Sequence, residues 1–353
     1  QGVKLSVNDL LIKALAKAAI RVCLLSPHCC LWACYFFWPC CPVIIHFANP
    51  HLHTLPPGHR FPMEKYALLR HRLGQALPQL RWQLAEPATP GELALVHTPN
   101  YIDAVFQGAL TTAEQREIGF TWSEGMVERA RRSVGATIAA ARRALAEGFS
   151  ANLAGGTHHA YAHKGGGFCV FNDVAVAARL MQAEQARAGR RLRVAVLDLD
   201  VHQGNGTAHI FANDPQVFTV SVHGEKNFPF RKEASDWDLE LPDGCTDEPY
   251  LEAVEQAFQA LSAQALPDLL FYLAGADPYE GDRLGRLAVS AAGLQARDQR
   301  VLDWAHEREV PVAMAMAGGY GRVIAETVEI QVQTFTEGWR HWQRCQDWQN
   351  PAP

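Results

Sequence analysis

Five nearly continuous apolar runs constrain the fold of this chain more than any other feature, because longer segments of helical periodicity separate them. The runs lie at 43–47, 194–199, 217–222, 269–274 and 312–317. Strands that are buried on both faces of a parallel sheet have unbroken apolar runs, whereas half-exposed strands alternate. Helical periodicity appears at 126–147, 173–188, 250–264 and 291–308. This alternation predicts an α/β fold with an open, mostly parallel β-sheet and helices on both faces.

The N-terminal segment differs from the rest of the chain. Residues 29–45 are uncharged and apolar, but this run is shorter than the roughly 20 residues of a spanning helix, and Pro39 and Pro42 interrupt it. Residues 3–22 have an amphipathic pattern that resembles a helix in the catalytic domain of dihydrolipoamide acyltransferases, whose His-x-x-x-Asp-Gly motif this chain lacks. We therefore expect 1–42 to be an extension outside the fold, and 43–345 to form a single domain.

Composition excludes several classes of protein. With 48% apolar and 20% charged residues, the chain can bury a large core and is not globally disordered. A net charge of −5 gives no support for binding to nucleic acid or to an anionic membrane. Six of the nine cysteines lie in the first 41 residues, and the others are scattered. That spacing is not a disulfide framework, so we expect a cytoplasmic protein.

Metal-ligating residue types follow two of the predicted strands. Asp200 and His202 come directly after the run at 194–199, and Asp277 follows the run at 269–274. Side chains two residues apart in an extended segment point the same way, and the carboxyl ends of parallel strands form the ligand-binding edge of such a sheet. Two carboxylates and one imidazole suit a catalytic Zn²⁺ or Fe²⁺ ion. The alternative is that each aspartate only caps a turn.

Three further segments carry polar groups beside glycines. His158 and His159 are adjacent after a glycine pair, which suits either a surface loop or two imidazoles that move a proton and stabilise charge at an activated water. A glycine-rich segment at 165–167 allows a ligand to approach the backbone. Tyr320 lies in a glycine-rich turn after the last run, where its hydroxyl is either packed or available as an oxyanion donor.

Six segments in this order resemble the histone deacetylase superfamily, and more narrowly its bacterial and class IV-like branch. They are GGTHHA, GGGFCVFNDVAVA, VLDLDVHQGNGTA, SVHGEKNFPF, LAGADPYEGDRLGRL and AGGY. The resemblance covers roughly residues 43–340 and rests on several independent motifs at compatible spacings.

The resemblance implies a role for each matching residue. The metal ligands are Asp200, His202 and Asp277, the tandem histidines are His158 and His159, with His159 as general base and acid, and Tyr320 polarises the carbonyl. Asp198 and Asn205 orient the two histidines, and the substrate tunnel is formed by Gly167, Phe168, Phe228, Leu284, Gly318 and Gly319. A structural K⁺ ion is implied near Asp198, Asp200, His202, Ser221 and Val222.

This chain differs from many members of the resembled family at one position and from ureohydrolases of the same fold at two. Asn205 stands where many relatives have an aspartate, and an amide orients an imidazole without stabilising its cation as a carboxylate does. Ureohydrolases of the same fold need two more carboxylates for a second metal, where this chain has Gly204 and Tyr279. The residues therefore favour a one-metal site.

The implied function is metal-dependent hydrolysis of an acetyl or longer acyl group from the side-chain amine of lysine or a similar amine. Two alternatives stay open at this point. One is an acetylpolyamine or other small-amide amidohydrolase, and the other is a non-catalytic protein that binds acyl-lysine. The partner is an acylated lysine or a small acylated amine, and the sequence predicts neither nucleic-acid nor membrane binding. It does not determine the oligomeric state.

Overall fold

The computed structural model describes residues 44–47, 55–56 and 58–349. The predicted extension at 1–42, with its acyltransferase-like segment at 3–22, lies outside these residues. Within them, no helix is long and apolar enough to cross a membrane.

Strands and helices alternate along the described chain, as the sequence predicts. The strands are β1 Ile44–Phe47, β2 Arg81–Leu84, β3 Phe149–Asn152, β4 Val194–Asp198, β5 Val217–Gly224, β6 Trp237–Leu241, β7 Leu269–Leu273 and β8 Val312–Ala315. The helices are α1 Lys65–Ala76, α2 Pro90–Leu93, α3 Pro99–Gln107, α4 Thr112–Ile118, α5 Glu124–Glu147, α6 Asp173–Arg187, α7 Asn205–Phe211, α8 Asp247–Ser262, α9 Ala291–Glu307 and α10 Ile324–Gln349.

All five predicted strands and all four predicted helices are present. The sequence missed β2, β3 and β6, because none of these three contains an unbroken apolar run. Both β2 and β6 are edge strands of the sheet and are partly exposed, and β3 is only four residues long and contains Ser150 and Asn152. The long helix α10 extends past residue 345, the predicted end of the domain.

The described strands form one sheet in the order β2-β1-β3-β8-β7-β4-β5-β6, and each neighbouring pair is parallel. The predicted open, parallel α/β architecture is therefore confirmed. Strands β3, β8, β7 and β4 are consecutive in this order although they are far apart in sequence. Because they run in the same direction, the four loops at their carboxyl ends meet at one edge.

Two apolar cores cover the two faces of the sheet, which explains the unbroken strands. In β4, Ala195 and Leu197 belong to one core, whereas Val194 and Val196 belong to the other. Helices α8, α9 and α10 pack in the first core, and α5 and α6 pack in the second. Burial of the central strands on both faces supplies the main stabilisation of the sheet and gives the carboxyl-end loops a rigid base.

Candidate active site

Asp200, His202 and Asp277 meet at the carboxyl ends of β4 and β7. The His202 Nδ1 atom lies 3.0 Å from Asp200 Oδ1 and 3.2 Å from Asp277 Oδ2. One potential ligand atom from each residue lies within 4.8 Å of the other two, and all three residues are buried. Two carboxylates and one imidazole nitrogen converge in this way at open zinc and ferrous-iron sites. The donor set therefore fits a single divalent metal ion.

The electrostatics of these three residues also favour a bound cation. Burial, followed by the charge of Asp200, raises the pKa of Asp277 to about 7. Burial lowers the pKa of His202, but hydrogen bonds to Asp200 and Asp277 outweigh it and raise the pKa to about 10. Two buried carboxylates repel each other, so a positive charge between them and the imidazole lowers the free energy of the group.

Backbone groups hold the two carboxylates in place. The Gly318 N–H donates to Asp200 Oδ2 at 2.7 Å, and the Val201 N–H donates to Asp277 Oδ1 at 3.0 Å. A Cβ atom at Gly318 would lie 1.9 Å from Asp277 Oδ2 and 2.6 Å from Asp200 Oδ2. Only glycine fits beside this pair, because a side chain would push the carboxylates apart.

The tandem histidines follow β3 and have different partners. His158 Nδ1 lies 2.6 Å from Asp198 Oδ2, whereas His159 Nδ1 lies 2.8 Å from Asn205 Oδ1. The loop that carries them is held by the buried carboxylate of Asp173, which accepts hydrogen bonds from the backbone N–H groups of residues 156 and 157. The structure thus pairs each histidine with the orienting residue expected from the sequence.

These different partners separate the pKa values of the two imidazoles. Burial lowers the pKa of His158, but the charge of Asp198 outweighs it and raises the pKa to about 9. Burial holds the pKa of His159 well below its usual value, and the charges of His158 and His202 lower it further. At neutral pH the pair therefore contains one imidazolium, at His158, and one neutral imidazole, at His159. Such a separation assigns acid and base roles in many active sites.

A hydrogen-bonded chain beyond Asn205 fixes the tautomer of His159. Asn205 Nδ2 donates to the Tyr161 hydroxyl at 3.0 Å, and this hydroxyl donates to Glu233 Oε1 at 3.0 Å. The Asn205 oxygen therefore faces His159 and accepts a hydrogen bond from its Nδ1–H group, which leaves the lone pair of the ring on Nε2. Sequence reasoning missed Tyr161 and Glu233, although Tyr161 lies only two residues after His159.

Tyr320 lines the same inner cavity as His158, His159 and His202. Its ring centroid is 6.3 Å from that of His202, and its backbone N–H donates to Asp282 Oδ2 at 2.6 Å. Burial and the nearby charges of Asp200 and Asp277 raise the pKa of Tyr320 well above its usual value. The phenol therefore keeps its proton at neutral pH and is available as a hydrogen-bond donor.

A cavity of about 940 Å³ leads from the surface to this group of residues. His159, His202 and Tyr320 lie at its inner end, and four predicted tunnel residues line it. These are Gly167, Phe168, Phe228 and Leu284. A Cβ atom at Gly167, where φ is +52°, would lie 2.5 Å from His159 Cδ2. Glycine at this position therefore lets the wall approach the imidazole.

The other two predicted tunnel residues differ in position. Gly318 packs against the two aspartates and lines a small inner cavity of about 50 Å³ with His202 and Tyr320. Gly319 lies beside Thr327 and Ala276 and lines neither cavity. Ser221, a predicted contact of the K⁺ ion, pairs with Asp198 in the register of β4 and β5.

The comparisons with known proteins agree with this arrangement. A family model described as the histone deacetylase domain matches residues 59–335. A protein of Picosynechococcus is 44% identical over 292 residues, which span 81% of this chain and 94% of that protein. Histone deacetylase 2 of Arabidopsis thaliana is 33% identical over 70% of this chain and 66% of its own length. The solved structure of an HDAC homologue from Aquifex aeolicus has a TM-score of 0.71 at 22% identity and covers 84% of each chain, which supports the fold.

Proposed function

The chain belongs to the histone deacetylase family and is therefore an amidohydrolase of the deacetylase type, and we propose that it hydrolyses the side-chain amide of acylated lysine in proteins. One observation carries this proposal: a neutral imidazole, a protonated phenol and a carboxylate–imidazole metal site converge at the inner end of one cavity. Each is a group that hydrolysis of an amide needs, and each approaches the same point from a different strand end.

Asp200, His202 and Asp277 would hold the metal ion, for which zinc or ferrous iron is the best match. When bound, such an ion supplies a Lewis acid that polarises the amide carbonyl and lowers the pKa of a water molecule. A potassium ion near Asp198 and Ser221 stays a prediction of the family resemblance.

His159 is the general base. Its Nδ1–H group donates a hydrogen bond to the Asn205 oxygen, so Nε2 is unprotonated and accepts a proton from the attacking water. Because burial keeps its pKa low, the resulting imidazolium gives the proton up readily to the leaving amine. The C–N bond then breaks, and the products are a carboxylic acid and a free amine.

His158 and Tyr320 stabilise charge. The Asp198 carboxylate holds His158 as an imidazolium, and its positive charge favours the negative charge that develops during attack. The Tyr320 hydroxyl donates to the carbonyl oxygen as that oxygen becomes negative, which is the role of an oxyanion donor. Phe168 and Phe228 line the approach and shield the acyl group from water.

The test is hydrolysis of an acetyl-lysine peptide by the metal-loaded protein, with acetate and free lysine detected by mass spectrometry. The same assay with butyryl- and myristoyl-lysine peptides measures which acyl length the cavity accepts. We expect turnover that a chelator abolishes and Zn²⁺ or Fe²⁺ restores. Binding of the peptide without hydrolysis, in the metal-loaded protein, would instead identify a protein that only recognises acyl-lysine.

A further inference from the structure

The mouth of the active-site cavity is strongly basic, although the whole chain carries a net charge of −5. Five cationic side chains line the cavity, against one carboxylate, that of Glu117. The five are Arg60, Arg116, Lys226, Arg283 and Arg286. The charge of this region therefore has the opposite sign to that of the molecule.

Nearby residues neutralise only part of this charge. Lys164 pairs with Glu117 at 2.6 Å, and Asp243 pairs with Arg286 at 3.1 Å and Lys226 at 4.0 Å. Among the described residues, none of the ion pairs involves Arg60, Arg116 or Arg283. These three arginines face solvent around the cavity without a carboxylate of their own.

One of the three arginines is fixed close to the reacting groups. Arg283 Nε donates to the Tyr320 carbonyl at 2.8 Å, and Arg283 Nη2 donates to the Arg60 carbonyl at 3.2 Å. Its guanidinium is held by neutral oxygens, so its full positive charge remains at the mouth. Beside it, the exposed rings of Phe228 and Phe230 offer apolar contacts. This combination suits a peptide with carboxylates near the modified lysine.

We propose that the physiological substrates are acyl-lysines in acidic protein segments, whose carboxylates bind Arg60, Arg116 and Arg283. This inference rests on the proposed function and names its substrate class. A polyamine carries positive charges beside its acyl group, so the same arginines repel it. Repulsion between like charges at a mouth of this kind reduces the association rate and selects against such substrates.

The experiment compares acetyl-lysine peptides of equal length with acidic, neutral or basic flanking residues, together with N⁸-acetylspermidine. We expect kcat/KM to fall from acidic to neutral to basic peptide by roughly tenfold per step at low ionic strength. The differences should shrink at about 0.5 M salt, because screening acts over a few ångströms there. Acetylspermidine should be the poorest substrate.

Substitutions of the arginines test whether the preference for acidic peptides arises at the mouth of the cavity. The double variant Arg60→Gln/Arg116→Gln should bring the acidic-to-neutral ratio of kcat/KM towards one, and Arg190→Gln, an exposed arginine after α6, should leave that ratio unchanged. Equal hydrolysis of all three peptides, or a preference for acetylspermidine, overturns the acidic-substrate proposal and leaves lysine or amine deacylation intact. A metal-loaded enzyme that hydrolyses none of them, and no butyryl- or myristoyl-lysine peptide either, overturns the proposed function itself.

A second, independent observation concerns Lys65, the first residue of α1. Its side chain is fully buried, and its ammonium forms no ion pair with any described residue. Nζ donates to the Gly319 carbonyl at 3.0 Å and lies 5.1 Å from the centre of the Tyr320 ring and 5.2 Å from that of Tyr66. Burying an ammonium without a carboxylate is costly, and here aromatic faces and one carbonyl provide its surroundings.

We infer that Lys65 is a positioning residue for Tyr320. Its hydrogen bond fixes the carbonyl of Gly319, which has φ of +144° and directly precedes Tyr320. Its ammonium also lies 5.1 Å from the centre of the Tyr320 ring, and this cation–π contact holds the ring in place. Lys65 acts on the substrate only through Tyr320, and this inference also rests on the proposed role of Tyr320.

A double-mutant cycle tests this role. Lys65→Met should lower kcat by about tenfold with little change in KM, and it should have no further effect in a Tyr320→Phe background. Lys65→Gln keeps a donor for Gly319 and should recover part of kcat; it also provides the cycle if the Met variant does not fold. Equal losses in both backgrounds, or an unchanged kcat in a folded variant, would show that Lys65 is only structural.

Discussion

Two groups of metal-type side chains lie in the described chain, one fully buried and one with His306 half-buried, and their surroundings differ. The strand-end cluster contains Asp200, His202 and Asp277, and the helix cluster contains His306, His341 and Cys345, from α9 and α10. Potential ligand atoms lie within 4.8 Å of one another in both clusters. Proximity of suitable residue types therefore does not distinguish them.

Charge does distinguish the two clusters. In the strand-end cluster, carboxylates raise the pKa of His202 to about 10, so a positive charge is favoured there. In the helix cluster, burial and then the charges of Arg344 and His306 lower the pKa of His341 to about 3. Burial also raises the pKa of the Cys345 thiol to about 12, whereas metal binding requires the thiolate. The first environment attracts a cation, and the second opposes one.

Removing a ligand from the strand-end cluster should have the largest effect. Asp277→Ala should abolish metal binding and reduce turnover to the background rate, because one carboxylate and one imidazole cannot complete the site. The fold should persist, since the substitution also removes one of two mutually repelling buried charges. Metal content by mass spectrometry, kcat and thermal unfolding measure these three effects.

The matched control is Asp303→Ala, an exposed aspartate that pairs with Arg344 near the helix cluster. It should leave both metal content and kcat at the wild-type level. Near-normal activity of Asp277→Ala in metal-replete buffer would refute the ligand assignment.

The second-largest effect on turnover should come from removing the Tyr320 hydroxyl, the proposed oxyanion donor. Tyr320→Phe keeps the ring and its contacts but deletes the hydroxyl. Loss of one oxyanion donor lowers kcat by about 10²–10³-fold. We expect KM to change little, because this hydrogen bond strengthens mainly in the transition state. A raised KM with an unchanged kcat would make Tyr320 a binding residue only.

The helix cluster should affect stability and its pH dependence. The pKa of His341 is about 3 in the folded protein, against about 6.5 for an unperturbed imidazole, so the unfolded state binds more protons below pH 6.5. This contribution to stability is complete above that pH and is lost as the pH falls towards 3. Between pH 7 and pH 5 it amounts to about 2 kcal/mol.

Chemical unfolding at pH 7 and pH 5 measures this difference. When the pH falls from 7 to 5, the free energy of unfolding of His341→Leu should decrease by about 2 kcal/mol less than that of the wild type. His163→Leu, at an exposed position, is the control and should behave as the wild type does. An unchanged pH dependence in His341→Leu would mean that His341 accepts its proton in the folded state.

The smallest effect should come from the thiol of the helix cluster. Cys345→Ala should leave metal content and kcat unchanged, because a protonated, buried thiol does not ligate. Cobalt-loaded wild-type protein should likewise show no thiolate-to-metal charge-transfer absorption. Such a band, lost in Cys345→Ala, would show that the helix cluster also binds a metal and would remove the contrast between the two clusters.

The local pattern of the sequence predicted much of the fold and of the strand-end cluster. Unbroken apolar runs identified β1, β4, β5, β7 and β8, and the residues after them supplied Asp200, His202, Asp277 and Tyr320. The prediction worked because a strand that is buried on both faces must be apolar along its whole length. The edge strands β2 and β6 were not predicted, because they are partly exposed and therefore lack an unbroken apolar run.

The roles of individual polar residues depended more on distant partners. Phe168, Phe228 and Gly318 were expected at the tunnel and line the cavities of the site, whereas Gly319 lines neither of them. Tyr161 and Glu233 have no local signal, because their link to Asn205 joins two separate loops to the first residue of α7. A hydrogen bond of this kind has no sequence periodicity.

The sequence by itself determined which strands are buried, which polar residues follow them, and therefore which chemistry the sheet edge can carry. Only the tertiary structure decided which imidazole is charged, where the arginines gather, and that Lys65 contacts the carbonyl of Gly319, 254 residues away. The physical reason is that apolar burial acts on each strand separately and leaves a local pattern. The charge state of a buried group depends instead on every neighbour that the strand order brings to it.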